Sequence, residues 1–233
     1  MSSRWPILRY FLATHLLFLS FCFGLVVVVI AAVVGVYAIF GTVDLSALDT
    51  FGPGWFWRWA ALGYGAYLYF TLLPTFLVHG RTRGEYVREV SAYQVVATAV
   101  LAALTALAYV GEALIYRAAG WSETFQPGRL FESGTEFGLV FVTYWTGMLV
   151  WTLAGSLLGA AVYRFHGGGL LLVPVAVVLL LLNGLNFGRA EPLWIGPEVG
   201  VWGTLGLAAV SSAVAVTLIW SLARNVSVRL RTA

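Results

Sequence analysis

The chain has 233 residues, of which 61% are hydrophobic and only 10% charged, with a formal net charge of +3. A water-soluble domain is about half apolar and about a quarter charged, so this composition excludes an ordinary soluble domain, and the small, scattered positive charge excludes a nucleic-acid surface. The lone Cys22 excludes an internal disulfide and a cysteine-rich metal centre.

From the N-terminus, the stretch from Arg4 to about Leu17 mixes arginine and aromatics with aliphatics, and Pro6 suits the first turn of a helix. It reads as a helix lying in the inner membrane interface, or else as a lengthening of the span that follows. Six apolar blocks come next, at about 16–40, 59–78, 93–116, 137–163, 170–187 and 199–222. Each approaches the roughly 20 residues that a helix needs to cross the hydrocarbon core. The first is too long for a cleaved signal segment. The connections are short, without repeat or flexible linker, so residues 1–233 read as a single all-α integral membrane domain with six transmembrane helices.

All thirteen basic residues are arginine. With the N-terminus inside, nine of them face the cytoplasm and four the exterior, which favours cytoplasmic termini. Trp55, Trp57 and Trp59 crowd the outer end of the second block, as an interfacial belt does.

Between the second and third blocks lies His79-Gly80-Arg81-Thr82-Arg83-Gly84-Glu85-Tyr86-Val87-Arg88-Glu89-Val90. Thr82 with Glu85 matches a capping box, which predicts that a short, charged cytoplasmic helix begins near Arg83. Tyr86, Val87 and Val90 fall on one side of it, with Arg88 and Glu89 pointing elsewhere. Such a helix suits docking on a partner; an interfacial turn whose arginines only set topology is the plainer alternative.

Polar groups within the blocks are few. Glu112 is the sole acid inside a span and sits toward its outer end, reaching the headgroups, pairing with Arg117 or Arg58, or lining an exit path. Asn183 and Asn186 share a helical face and either line the same path or bond between helices. Gly155 and Gly159 form a GxxxG pair that permits close helix approach. Pro174 predicts a kink in the fifth block. The three histidines are on different segments, without metal-ligand spacing, and no nucleophile–base–acid arrangement appears. The absence of lysine excludes a P-loop, so this chain holds no site of ATP hydrolysis of that type.

The segment from His79 to Tyr86 resembles the loop after the second span in permease subunits of type-2 ABC exporters, where bacterial members often show a glycine, a small hydroxyl residue, an arginine and then an aromatic. The whole-chain plan is similar too: an interfacial N-terminal helix, six spans and minimal loops. The resemblance implies that the loop helix is a coupling helix, with Arg81, Thr82, Arg83, Glu85, Tyr86 and Arg88 contacting a separate ATP-binding cassette subunit. Gly84 departs from the bulkier residue often found there. It further implies that ATP and magnesium reside on that partner, that a second permease subunit completes a homodimer or heterodimer, and that the complex sits in a bacterial plasma membrane. The segment 186–198, with two prolines, would be a small version of the family's outer helical hairpin. The apolar spans suit a hydrophobic or amphipathic cargo. A membrane scaffold or accessory subunit is the alternative, and a secondary transporter or polytopic enzyme a further one, with the scarcity of acids arguing against proton coupling.

Overall fold

The computed structural model describes residues 5–40, 46–51, 56–125, 130–184 and 200–224. Among these residues nearly all are helical and there is no strand. Five helical runs are long and apolar enough to cross a membrane: Pro6–Ile39, Trp57–Val78, Arg83–Ala119, Phe137–Leu182 and Val201–Ala223.

The first run differs from the expected interfacial helix followed by a span. Helix α1, Pro6–Phe11, passes through a π turn, Leu12–Leu16, into α2, Leu17–Phe40, with right-handed helical dihedrals at both junctions. The N-terminal segment therefore extends the first long helix, and Pro6 opens it at a position where a missing N–H is harmless. A short helix, α3 (Ala47–Phe51), follows. The second run is α4, Phe56–Tyr67, a π turn, Leu68–Leu72, and α5, Leu73–Val78. Helix α6, Arg83–Ala119, is unbroken for 37 residues, or about 55 Å at 1.5 Å per residue. That exceeds a hydrocarbon core of about 30 Å, so its ends project beyond it.

The fourth and fifth expected spans emerge as one helical run. Helix α7, Phe137–Phe165, gives way to a 3-10 segment, His166–Leu172, and then α8, Val173–Gly184. No polar loop separates them; the reversal is made at His166, which adopts φ 53°. Helix α8 then packs back on α7, and the 3-10 segment between them lies so close that a Cβ on Gly169 would stand 2.5 Å from the Ala161 backbone. Pro174 is the second residue of α8, so it opens that helix rather than kinking one. The last run is α9, Val201–Ala223. The 186–198 segment lies outside the described residues.

Helix α7 is the hub, packed against α4, α6, α8 and α9. Its seam with α4 is the tightest. A Cβ on Gly155 would stand 1.9 Å from the Leu62 carbonyl oxygen, one on Gly159 2.4 Å from that of Ala66, and one on Gly65 1.9 Å from that of Thr152. The GxxxG pair is thus matched by small residues across the seam. In lipid, where burial of apolar surface between helices gains little over contact with acyl chains, this backbone-to-backbone approach supplies the dispersion energy that holds the pair. Around it lie tyrosines whose hydroxyls find partners: half-buried Tyr64 with buried Tyr93 at 2.8 Å, and buried Tyr109 with buried Tyr144 at 2.7 Å.

Gly155→Ala is therefore expected to lower stability by about 1–3 kcal/mol through overpacking, read as a lower thermal unfolding temperature in detergent. Gly63→Ala, where an added Cβ meets nothing within 4 Å, should leave it unchanged or raise it.

Candidate functional site

The turn from α5 into α6 is only four residues long and is built by two capping motifs. Gly80 takes a left-handed φ of 80°, a conformation that costs glycine little. Its N–H donates to the Leu77 carbonyl at 3.1 Å, and the Arg81 N–H donates to that of Phe76 at 3.1 Å, the bond pair of a Schellman ending. Immediately afterwards the Thr82 hydroxyl accepts from the Glu85 N–H at 3.2 Å, while a Glu85 carboxylate oxygen accepts from the Thr82 N–H at 3.1 Å. The capping box thus starts α6 at Arg83, where the sequence places it. The helix that begins there is not short, however: it continues straight to Ala119. Nothing after Glu89 stops it, because Ser91 to Ala119 contains no proline and only one glycine, Gly111.

Of the residues expected at a partner interface, Arg81, Thr82 and Arg88 are exposed, and Arg83 and Glu85 are half-buried. Arg88 lies over the Trp5 ring at 4.8 Å. Tyr86 is a correction: it is fully buried, stacks edge-on against Tyr69 and donates its hydroxyl to the Leu68 carbonyl. It fastens α6 to the π turn and offers no surface to a partner.

Glu89 is a second correction. Instead of pointing away, it is buried and accepts from the backbone N–H groups of Ile7 at 2.8 Å and Leu8 at 3.0 Å. These are first-turn amides of α1, without partners inside their own helix. Its position was foreseeable: Glu89 lies three residues after Tyr86 and four before Tyr93, on the buried stripe.

Glu112 plays the same part at the far end of α6. Its carboxylate accepts from the Ser46 hydroxyl at 2.8 Å and from the N–H groups of Ala47 at 2.7 Å and Leu48 at 3.2 Å. Its partner is the start of α3, and it is buried there, so it anchors a helix end and does not line an open path. The two carboxylates are 23 residues apart, about 34 Å along the helix. Arg164 supplies the opposite case: its guanidinium donates to the Ser221 and Leu222 carbonyls, at 3.0 and 3.2 Å, at the end of α9. Each charge has the sign that the helix dipole favours at that terminus. The side chain of Asn183, and all of Asn186, lie outside the described residues.

Beyond the end of α6, desolvation raises the Glu123 carboxyl above its ordinary 4.5, against the Gly134 N–H, with the charge of Glu112 raising it further and Arg117 opposing.

No family model, curated protein or solved structure matches this chain. The architecture defines its class: an all-α protein with several helices suited to spanning a membrane.

Glu112→Leu leaves three donors of the α3 start without an acceptor, at about 1–3 kcal/mol for each one left unmet. In a Cys22→Ser background, a cysteine placed at buried Leu48 should turn thiol-reactive on adding this substitution. Because the folded Glu123 carboxyl binds its proton more tightly than the unfolded one, stability should fall as pH rises from 4.5 through its raised value. Glu123→Gln should flatten that part of a pH–unfolding profile.

Proposed function

We propose that this chain is the membrane subunit of an ATP-driven exporter, working with a separate ATP-binding cassette subunit that holds ATP and magnesium. In this reading the chain crosses a bacterial plasma membrane six times, with α7 and α8 as separate crossings and both termini in the cytoplasm. A second permease subunit completes the substrate path. The observation that carries the reading is the corner from His79 to Thr82, where two capping motifs hold Arg81 and Thr82 exposed at the mouth of α6. Arg88 stands on the next turn. A rigid basic corner of this kind suits an acidic groove on a partner, and the long unbroken α6 suits transmission of a push from that corner to the far face. The absence of lysine requires that a P-loop engine be a different polypeptide.

A non-transporting scaffold is the second reading. It is favoured by the fusion of the corner into α6 with Tyr86 buried beneath it, which leaves no separate lever to rock.

Under the exporter reading, an ATPase co-purifies from native membranes, and Arg81→Glu with Arg88→Glu reduces its recovery at least tenfold while the unfolding temperature is kept. Under the scaffold reading the partner is retained, but candidate substrates do not stimulate ATP hydrolysis in liposomes. Recovery of the chain without any ATPase, or labelling of an Arg81→Cys variant from the exterior, defeats the exporter reading.

A further inference from the structure

Where the 3-10 segment passes the end of α9, the surface carries an open groove of about 530 Å³, walled by Phe165, Gly168, Leu171, Leu218, Ser221 and Leu222. That volume falls in the roughly 300–1,000 Å³ range of small-ligand sites. The side chains lining it are almost wholly carbon. The one hydroxyl, that of Ser221, is spent on the Leu218 carbonyl at 2.9 Å. Leu171 is 82% exposed, so none of the described residues covers this wall.

Arg164 stands on the rim. Its Cζ lies 4.9 Å from the centre of the Phe165 ring, and Nη1 donates to the Ser221 and Leu222 carbonyls at 3.0 and 3.2 Å. All three of these residues line the groove, so the guanidinium is held at its border by contacts on one edge and one face. The other edge, Nε–H with the Nη2–H beside it, is a parallel pair of donors that matches two oxygens of one phosphate. These two nitrogens make no hydrogen bond to any described residue, and neither belongs to the buried polar atoms without a partner. The edge is therefore open to a ligand.

The surrounding charge has one sign. Helices α7, α8 and α9 and the 3-10 segment contain no carboxylate side chain. Arg224, exposed, follows Leu222 by two residues. A Cβ on Gly84 would stand 3.1 Å from the Trp220 ring, which brings the start of α6, with exposed Arg81 and Arg88, beside the end of α9. The acids there, Glu85 and Glu89, are spent on the starts of α6 and α1.

We propose that this groove binds an anionic phospholipid, with its phosphate on the Nε–Nη2 edge of Arg164 and one acyl chain along Leu171 and Leu218. A basic pocket between membrane helices is suited to such a headgroup. The apolar wall selects a chain-bearing ligand over a free phosphate. A zwitterionic headgroup is disfavoured because its ammonium meets no carboxylate here, and the Phe165 ring that could receive it is already faced by Arg164. The site lies within one chain and does not depend on the exporter reading.

The test is equilibrium binding of radiolabelled dioleoyl phosphatidylglycerol to the full chain in dodecyl maltoside micelles. Dioleoyl phosphatidylcholine, with the same chains but an ammonium on its headgroup, should compete roughly tenfold less well than the unlabelled anionic lipid. Glycerophosphoglycerol, the anionic headgroup without chains, should not displace the label. Arg164→Gln should remove the preference between the two lipids. Gly168→Phe, at a position where an added Cβ meets only that of Phe165 at 3.8 Å, should fill the groove and abolish binding with Arg164 intact. Equal competition by the two lipids overturns the proposal, as does displacement by the headgroup alone, a preference that survives Arg164→Gln or binding that survives Gly168→Phe. Should Arg164→Gln not fold, because Arg164 also holds the end of α9, the lipid comparison and Gly168→Phe still decide it.

Discussion

The constraint on which this architecture depends is the satisfaction of helix ends away from water. A helix leaves its first N–H groups and last carbonyls without internal partners, and in hydrocarbon each such group costs several kcal/mol unless another part of the protein meets it. Three buried or half-buried charges do so here. Glu89 takes the first amides of α1, Glu112 takes those of α3, and Arg164 takes the last carbonyls of α9. The charges are neutralised in turn by the partial charge of the helix end. Each contact therefore solves two desolvation problems at once, and removing the side chain reopens both.

Helix α6 carries two of these anchors, one near each end, and so acts as a mast along the helical bundle. It ties the N-terminal helix at one level and the short α3 at the other, about 34 Å apart. Against the mast, α7 organises the rest. Its seam with α4 relies on the absence of side chains at Gly65, Gly155 and Gly159, so its strength comes from contact between backbones and leaves little freedom to slide. Helix α2 is held differently, by its ends and by a few aromatic contacts such as Phe23 on Trp57. The firm part of the molecule is thus α4–α6–α7, with α2 more lightly packed against it.

These mechanical differences bear on function. A corner braced by a Schellman ending and a capping box has the backbone groups of its turn paired, and the helix behind it has no break at which to absorb a displacement. Force applied at Arg81 would reach the level of Glu112 and α3 along one element. That makes α6 a transmitter in the exporter reading and a fixed post in the scaffold reading. The distinction lies in what meets the exposed arginines.

Much of this was legible in the residues themselves. Apolar block lengths, the Thr82–Glu85 pair, Gly80 and the Gly155–Gly159 spacing act through local geometry, so the helical class, the start of α6 and a close helix seam followed without tertiary information. Other features depended on which segments meet. The break between the fourth and fifth blocks was readable, but not that a positive-φ His166 and a 3-10 segment make the reversal within a helical run. The continuity of α1 into α2 turned on a π turn that has no residue signature. The helix ends that Glu89, Glu112 and Arg164 satisfy are 57 to 82 positions away in the chain, so the end each one meets was not readable, even for Glu89, whose burial was. Local physics selects which segments become helices; only the packed structure decides which charge answers which unpaired helix end, since in an apolar medium that answer must come from a neighbour and not from solvent.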